Sequence, residues 1–425
     1  MSTLLTSVAW LPPMRNSPSR GRGKPAAREA WRTAFDYRRL GLGVMVWSAL
    51  FGICAPAQVT DSERVSDPFA WGFEFATALR TDEHDRGLTQ ANTLIAAAQK
   101  GQLDWVTQRV EQVTGWRRGL VYVELGRQFW ARGQKEEARR WLQLAEGLGR
   151  QIQDWTGPRL LATVSAALVG MGEHEEGLRV AGLTESPQER TALLPAGVVS
   201  LLDRGEVEKA WEAIESAGEA HPMEIRMAQA RAYLAMARHP TVRGDAERCR
   251  KAVERAVETA KKLPFDIYLE VVTEGAGVLK DAGLSEVARG LVSELEALIS
   301  RSDIAADARA PYVVRVAEVW QGLGEPGRAR QLLDTGLQGM ELTQDIDQPM
   351  VYAVLIGGYV RVGDEAEARA RFRRGLELAG ELINSRPRVL AVVELCRQMG
   401  LSGLSLRDEE QQLLRQLYER LGPPW

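Results

Sequence analysis

The chain has 425 residues, 45% of them apolar and 26% charged, a balance that excludes a disordered polymer and suits one to three ordinary domains or one extended repeat array. Only 18 prolines and 8 phenylalanines stand against many Ala, Leu, Glu, Arg and Gln, the strong helix formers, so an all-α fold is expected. Of 54 basic and 57 acidic residues, 8 and 2 fall in 1–57, leaving 46 and 55 in 58–425; this body stands at −9 with its signs well mixed, and without a basic stripe to neutralise phosphates it argues against a nucleic-acid partner.

Residues 1–39 read as a disordered basic region, with Arg15, Arg20, Arg22, Lys24, Arg28 and Arg32 among Ser, Pro and Gly and no apolar period. Arg38 and Arg39 then precede residues 40–57, LGLGVMVWSALFGICAPA, an uncharged run ending in Ala55-Pro56-Ala57. A basic flank, an apolar run and small residues together give a signal peptide cleaved after Ala57 or, if retained, a membrane anchor. Gly41, Gly43, Gly52 and Pro56 favour cleavage, because they make a poor permanent membrane helix. Arg38-Arg39 also admits a twin-arginine route. Cys54 admits lipidation, although Ile53 puts a bulky residue where such sites take a small one. A translation start at Met14 or later is a further alternative.

Residues 58–85 read as a linker followed by an N-terminal capping helix. Asp67 offers a capping carboxylate, Pro68 suits a first turn, and Phe69, Trp71, Phe73 and Phe75 follow. Over residues 86–400 a glycine recurs with a small residue five positions later: Gly133/Ala138, Gly205/Ala210, Gly283/Ala288, Gly324/Ala329 and Gly363/Ala368, with the variants Gly172/Gly177 and Gly244/Cys249. Gly101 opens a diverged first copy and Gly400 a last one. An amphipathic stretch of helical period flanks each glycine on both sides. The glycine ends the first helix in a left-handed conformation, and the acids after it suit the N-terminus of the second. The small residue marks where the two helices cross, and a larger apolar residue follows at plus nine: Leu142, Ile214, Val253, Val292, Leu333 and Phe372. Residues 401–425 form a charged amphipathic C-terminal capping helix.

On these residues the chain resembles the tetratricopeptide-repeat family. The copy around Gly133 carries Tyr122, Leu125-Gly126, Phe129, Ala138, Leu142 and Ala145 at the family's positions, and the copy around Gly205 ends in Pro222 where the family closes on proline. Elsewhere the Leu-Gly pair is mostly lost and repeats run near 39 residues, a length expected to lengthen the second helix. The resemblance implies a right-handed superhelical solenoid of about nine helix-turn-helix repeats with terminal capping helices. It also implies a non-catalytic scaffold that binds proteins or peptides along a concave face lined by the first helices. By the family's geometry that face includes Arg127, Trp130, Arg159, Glu270, Lys280, Glu318 and Arg361. With the leader it suggests an exported protein of the periplasm or cell envelope, touching membrane only through its N-terminal segment. A cytoplasmic or membrane-anchored regulatory protein, or a superhelical cell-wall-active enzyme, are the alternatives.

The chemistry-bearing residues are sparse, and neither cofactor nor metal is expected. His174, in GEHEEG, lacks a second histidine one helical turn on and reads as a solvent-exposed first-turn residue. His84, His221 and His239 complete the set, the last two beside prolines at helix ends. Gly322, Gly324 and Gly327 spell a dinucleotide fingerprint, but Gly324 falls in register with the repeat glycines. Cys249 and Cys396 lie four repeats apart and are expected as buried free thiols.

Overall fold

The computed structural model describes residues 66–80, 83–183, 194–217, 222–301 and 304–422. Contacts divide the chain into two units, residues 1–55 and 56–425, and the described residues all belong to the second. The basic region, the signal or anchor segment, most of the linker, Cys54 and His221 lie outside them. The described residues form twenty α-helices and three short 3-10 turns, without a strand.

Most helices pack in adjacent antiparallel pairs. In chain order after α1 (Pro68–Ala78), the pairs are α2 (Glu83–Gln99) with the short α3 (Leu103–Thr107), α4 (Arg117–Ala131) with α5 (Lys135–Gln151), and α6 (Thr156–Gly170) with α7 (His174–Ala181). Then come α8 (Leu194–Asp203) with α9 (Val207–Glu215), and α10 (Pro222–Arg238) with α12 (Ala246–Ala260), with α11 (Pro240–Arg243) between. The last continuous pairs are α13 (Phe265–Asp281) with α14 (Ser285–Arg301), α15 (Ala306–Gly322) with α16 (Pro326–Asp334), and α17 (Gln348–Arg361) with α18 (Glu365–Glu381). α19 (Ser385–Leu401) and α20 (Asp408–Glu419) follow.

The turn between paired helices is built as the glycines predict. At Gly133, φ is +78°, the Gly133 amide donates to Trp130 O at 2.8 Å, and Gln134 N–H reaches back to Phe129 O at 3.0 Å, closing the orphan carbonyls of α4. A Cβ on Gly133 would meet nothing, so the demand is for the left-handed backbone and not for space. Ala138, Ala210, Cys249, Ala288, Ala329 and Ala368 are fully buried where second helices cross first ones, with Ile214, Val253, Val292, Leu333 and Phe372 buried beside them. At Gly177 even a methyl group would lie 2.6 Å from Val169.

Two glycines play other parts than expected. Gly244 has a right-handed conformation and ends α11; α12 starts instead on Asp245, whose carboxylate accepts from the amides of Glu247 and Arg248 at 3.1 Å. Gly400 lies inside α19, and the left-handed turn after that helix belongs to Gly403, with Leu404 N–H on Met399 O at 3.1 Å. The glycine-rich run 322–327 joins α15 to α16, two helices, so the strand that a dinucleotide fold requires is not formed there.

α1 begins as Asp67-Pro68 predicts, the Asp67 carboxylate accepting from Phe69 N–H at 2.9 Å. Rather than covering a free end, however, it packs along α19 in the manner of a second helix. The Phe69 ring lies against Gly400, where a Cβ would fall 2.5 Å from it, and Gly72 lies against Cys396. Trp71 and Phe75 meet Tyr418 of α20 edge-on at 6.5 and 5.3 Å, and Leu406 N–H donates to Ser66 O at 2.9 Å. On its other flank α1 packs on α2, Gln90 Nε2 donating to Thr77 Oγ1 at 3.2 Å, while Phe73 meets Trp105 of α3 at 5.9 Å. Four buried aromatic side chains, each worth on the order of 2 kcal/mol, hold this helix between the two ends of the series. α19 also touches α2 directly, and Arg386 Nε donates to Asp85 at 2.5 Å. The first helices therefore contact one another in a closed circuit: α2, α4, α6, α8, α10, α13, α15, α17, α19 and back to α2.

Candidate functional site

Side chains that point away from the paired second helices recur at fixed distances before each turn glycine. Arg127 and Glu318 stand six residues before theirs, Trp130 and Lys280 three, Arg361 two, Arg159 and Glu270 thirteen. At 3.6 residues per turn these offsets share one stripe about 100° wide. Arg159, Lys280 and Arg361 are exposed, and Arg127, Trp130, Glu270 and Glu318 half-buried.

The stripe is polar, and most of its charges are engaged with one another. Glu318 of α15 pairs with Arg361 of α17, and Glu270 of α13 accepts from Arg231 of α10 at 3.3 Å, so both pairs tie neighbouring first helices. Arg127 lies 3.8 Å from Glu124, Lys280 lies 3.9 Å from Asp281, and Arg159 stacks near Trp155 at 5.8 Å. The Lys135 ammonium sits 5.1 Å from the centre of the Trp130 ring, a cation–π contact that leaves the indole partly accessible. Glu318 keeps 39% of its side-chain surface, yet surrounding protein desolvates it enough to raise its carboxyl above the ordinary range against the pull of Arg361 and Arg315. Its neighbour is a guanidinium rather than a second acid, unlike the paired carboxylates of a glycosidase.

Several members of the stripe escaped sequence reasoning. Arg231 and Arg238 of α10 reach the next first helix, Arg231 donating to Glu270 at 3.3 Å and Arg238 to Glu274 at 2.7 Å. Arg397 stands six residues before Gly403 and grips Glu394 through two bonds of 2.7 and 2.6 Å, while Gln398 adds a third at 2.9 Å. Burial pushes the Glu394 carboxyl up, but the charge of Arg397 and these bonds more than offset it and hold it below the usual range. With Gly403 as turn glycine, the offset alone would have found Arg397.

A second recurring device lies among the second helices. An arginine six residues after the turn glycine reaches the turn of the next hairpin: Arg139 to Glu173 at 2.7 Å, Arg289 to Glu325 at 3.7 Å, and Arg330 to Asp364. Arg369 follows the rule with Ser405 O at 3.1 Å and adds a buried pair with Glu410 at 2.9 Å. Its signal is an arginine at plus six, followed one repeat on by an acid just after a glycine.

The isolated histidines are less isolated in space. Asp203, at the end of α8, receives His174 Nε2 at 3.3 Å and His239 Nε2 at 3.1 Å, so three consecutive hairpins meet on one carboxylate. His174 is therefore half-buried beside a carboxylate, not merely solvated. His84 faces Arg117 at 3.1 Å. Cys249 and Cys396 are buried free thiols, as expected, and burial raises the pKa of both. Among the described residues no group of three or more His, Cys, Asp or Glu side chains converges on a metal position, and no helix is long and apolar enough to cross a membrane. One depression lies near Gly380 and Leu417, and another near Leu142 and Leu168, where Glu146 and Glu173 are held by Arg179 and Arg139. Compared with protein-family models and with curated proteins, the chain matches none; what is established is an all-helical protein of paired, repeat-like hairpins.

Proposed function

We propose that the chain is a diverged tetratricopeptide-like repeat array, closed on itself through α19 and α2 rather than left open as the expected superhelix, that acts as an exported, non-catalytic scaffold and binds a protein or peptide segment along its first helices. The observation that supports this most is the unbroken series of first helices whose uncovered stripe carries aromatic and oppositely charged side chains. Neighbouring helices in such a series stand about 9–10 Å apart, a spacing at which an extended segment meets a new pair of side chains on every helix. The pairs Glu318–Arg361, Glu270–Arg231 and Glu274–Arg238 already satisfy one another, so an incoming segment exchanges partners with them instead of burying an unpaired charge. Trp130 supplies the kind of anchor that dominates interfaces.

Capture from a cell-envelope extract by the wild type and by a Trp130→Ala/Arg127→Ala variant tests the face. Loss of a captured species in the variant supports it, and an unchanged set removes this part of the stripe. Mass spectrometry of the mature N-terminus tests export separately. A start at or near Gln58 supports cleavage, and an intact 38–57 stretch in a soluble cytosolic product defeats it.

A further inference from the structure

We propose that the ninth hairpin opens, with α1 acting as a strap that detaches from α19 while the other eight hairpins, and the contact of α19 with α2, stay closed. In those eight, continuous backbone joins the two helices, through a glycine turn or through α11. The ninth is split. Its first helix is α19, near one end of the chain, and its second is α1, near the other. After Gly403 the chain runs on to α20, and Leu406 N–H meets Ser66 O where a continuous turn would otherwise stand.

Separation here stretches no loop. What resists it is noncovalent: the Phe69 ring on Gly400, Gly72 on Cys396, and the edge-on contacts of Tyr418 with Trp71 and Phe75. Local opening below the global unfolding free energy follows cooperative units of the fold, and the ninth hairpin is the one whose two helices no turn joins. Detachment bares a helix-shaped slot on α19.

The test uses the full chain with Gly72→Cys. A Cβ at position 72 lies 3.4 Å from the Cys396 Cβ, beside the range of about 3.5–4.5 Å found in disulfides, so the new thiol faces a native one. Oxidation is expected to give a monomer with a 72–396 disulfide by peptide mass mapping, absent from Gly72→Cys/Cys396→Ser. In hydrogen exchange, the α1 amides of the reduced protein are expected to exchange about tenfold or more faster than those of α12, and oxidation to slow them by a similar factor while α12 is unchanged. Three results would overturn the proposal. Reduced α1 amides as slow as those of α12 would mean that the strap does not detach. A disulfide between two copies would mean that the slot is filled by another chain's strap. No disulfide under oxidant would mean that α1 is not seated on α19.

Discussion

Gly400 allows the contact between the chain's two ends to be weighed by one methyl group. In an open helix interior Gly→Ala gains about 0.5–1 kcal/mol from backbone entropy. Gly290, in α14, is such a site, since a Cβ there would meet nothing within 4 Å. At Gly400 the same methyl would lie 2.5 to 2.7 Å from three atoms of the Phe69 ring, itself only 2% exposed and unable to swing away freely. Overpacking of that kind costs about 1–3 kcal/mol, so Gly400→Ala should destabilise or at best break even, whereas Gly290→Ala stabilises. Phe69→Ala alone should cost about 3–5 kcal/mol through the cavity it leaves. In that background the clash is gone, and Gly400→Ala should recover about the gain seen at Gly290. Urea unfolding of the four proteins of the cycle measures the coupling, expected at about 1–3 kcal/mol between residues far apart in sequence. If Gly400→Ala stabilises as Gly290→Ala does, with coupling below about 0.5 kcal/mol, Phe69 does not pack there and α1 is not seated on α19.

Ala368→Leu should destabilise by about 1–3 kcal/mol, because the fully buried crossing of α17 and α18 has no room for it. Glu136→Gln, whose side chain is 91% exposed, should leave the melting temperature nearly unchanged, and equal effects would refute the repeat frame. Arg369→Ala strands Glu410, 2% exposed, and should cost on the order of 3–5 kcal/mol, most of it recovered in Arg369→Met/Glu410→Leu; calorimetry of both variants decides. The pH dependence of stability should separate Glu394 from Glu318. Glu394 has a folded pKa below its unfolded value, so its contribution is present above the ordinary carboxylate range and fades as pH falls through the folded value. Glu394→Gln should therefore lose stability at pH 7 and converge on the wild type in acid. Glu318 is raised, so its carboxylate costs stability above the unfolded value, and Glu318→Gln should compare better with the wild type at pH 7 than at pH 4. Parallel pH profiles for the two variants would contradict the assignment.

The hairpins were legible because their causes are local. A left-handed glycine, a small residue five positions on and an apolar period of 3.6 act within about twenty residues, and each is a choice of side chain that the backbone geometry enforces. At Gly244 and Gly400 the same reading slipped. Each glycine lies close to a helix end without being the residue that takes the left-handed turn, and the composition of a turn does not say which φ it adopts. That slip hid Arg397, which stands at the offset already used for Arg127 and Glu318.

Sequence by itself determined that this is an all-helical protein of repeated hairpins, that Ala138 and its counterparts are crossing points, and that Cys249 and Cys396 are buried. Only the tertiary structure decided that α1 completes the last hairpin, that Glu318 faces Arg361, and that Asp203 gathers two histidines. The reason is range. A helix records its own apolar stripe in its spacing, but nothing in that spacing specifies which of several similar stripes will cover it, and an aromatic-rich helix at one end of the chain suits a free edge and a distant partner equally well. Contact between residues more than three hundred positions apart depends on how the small rotations between successive hairpins accumulate, and no single hairpin encodes that sum.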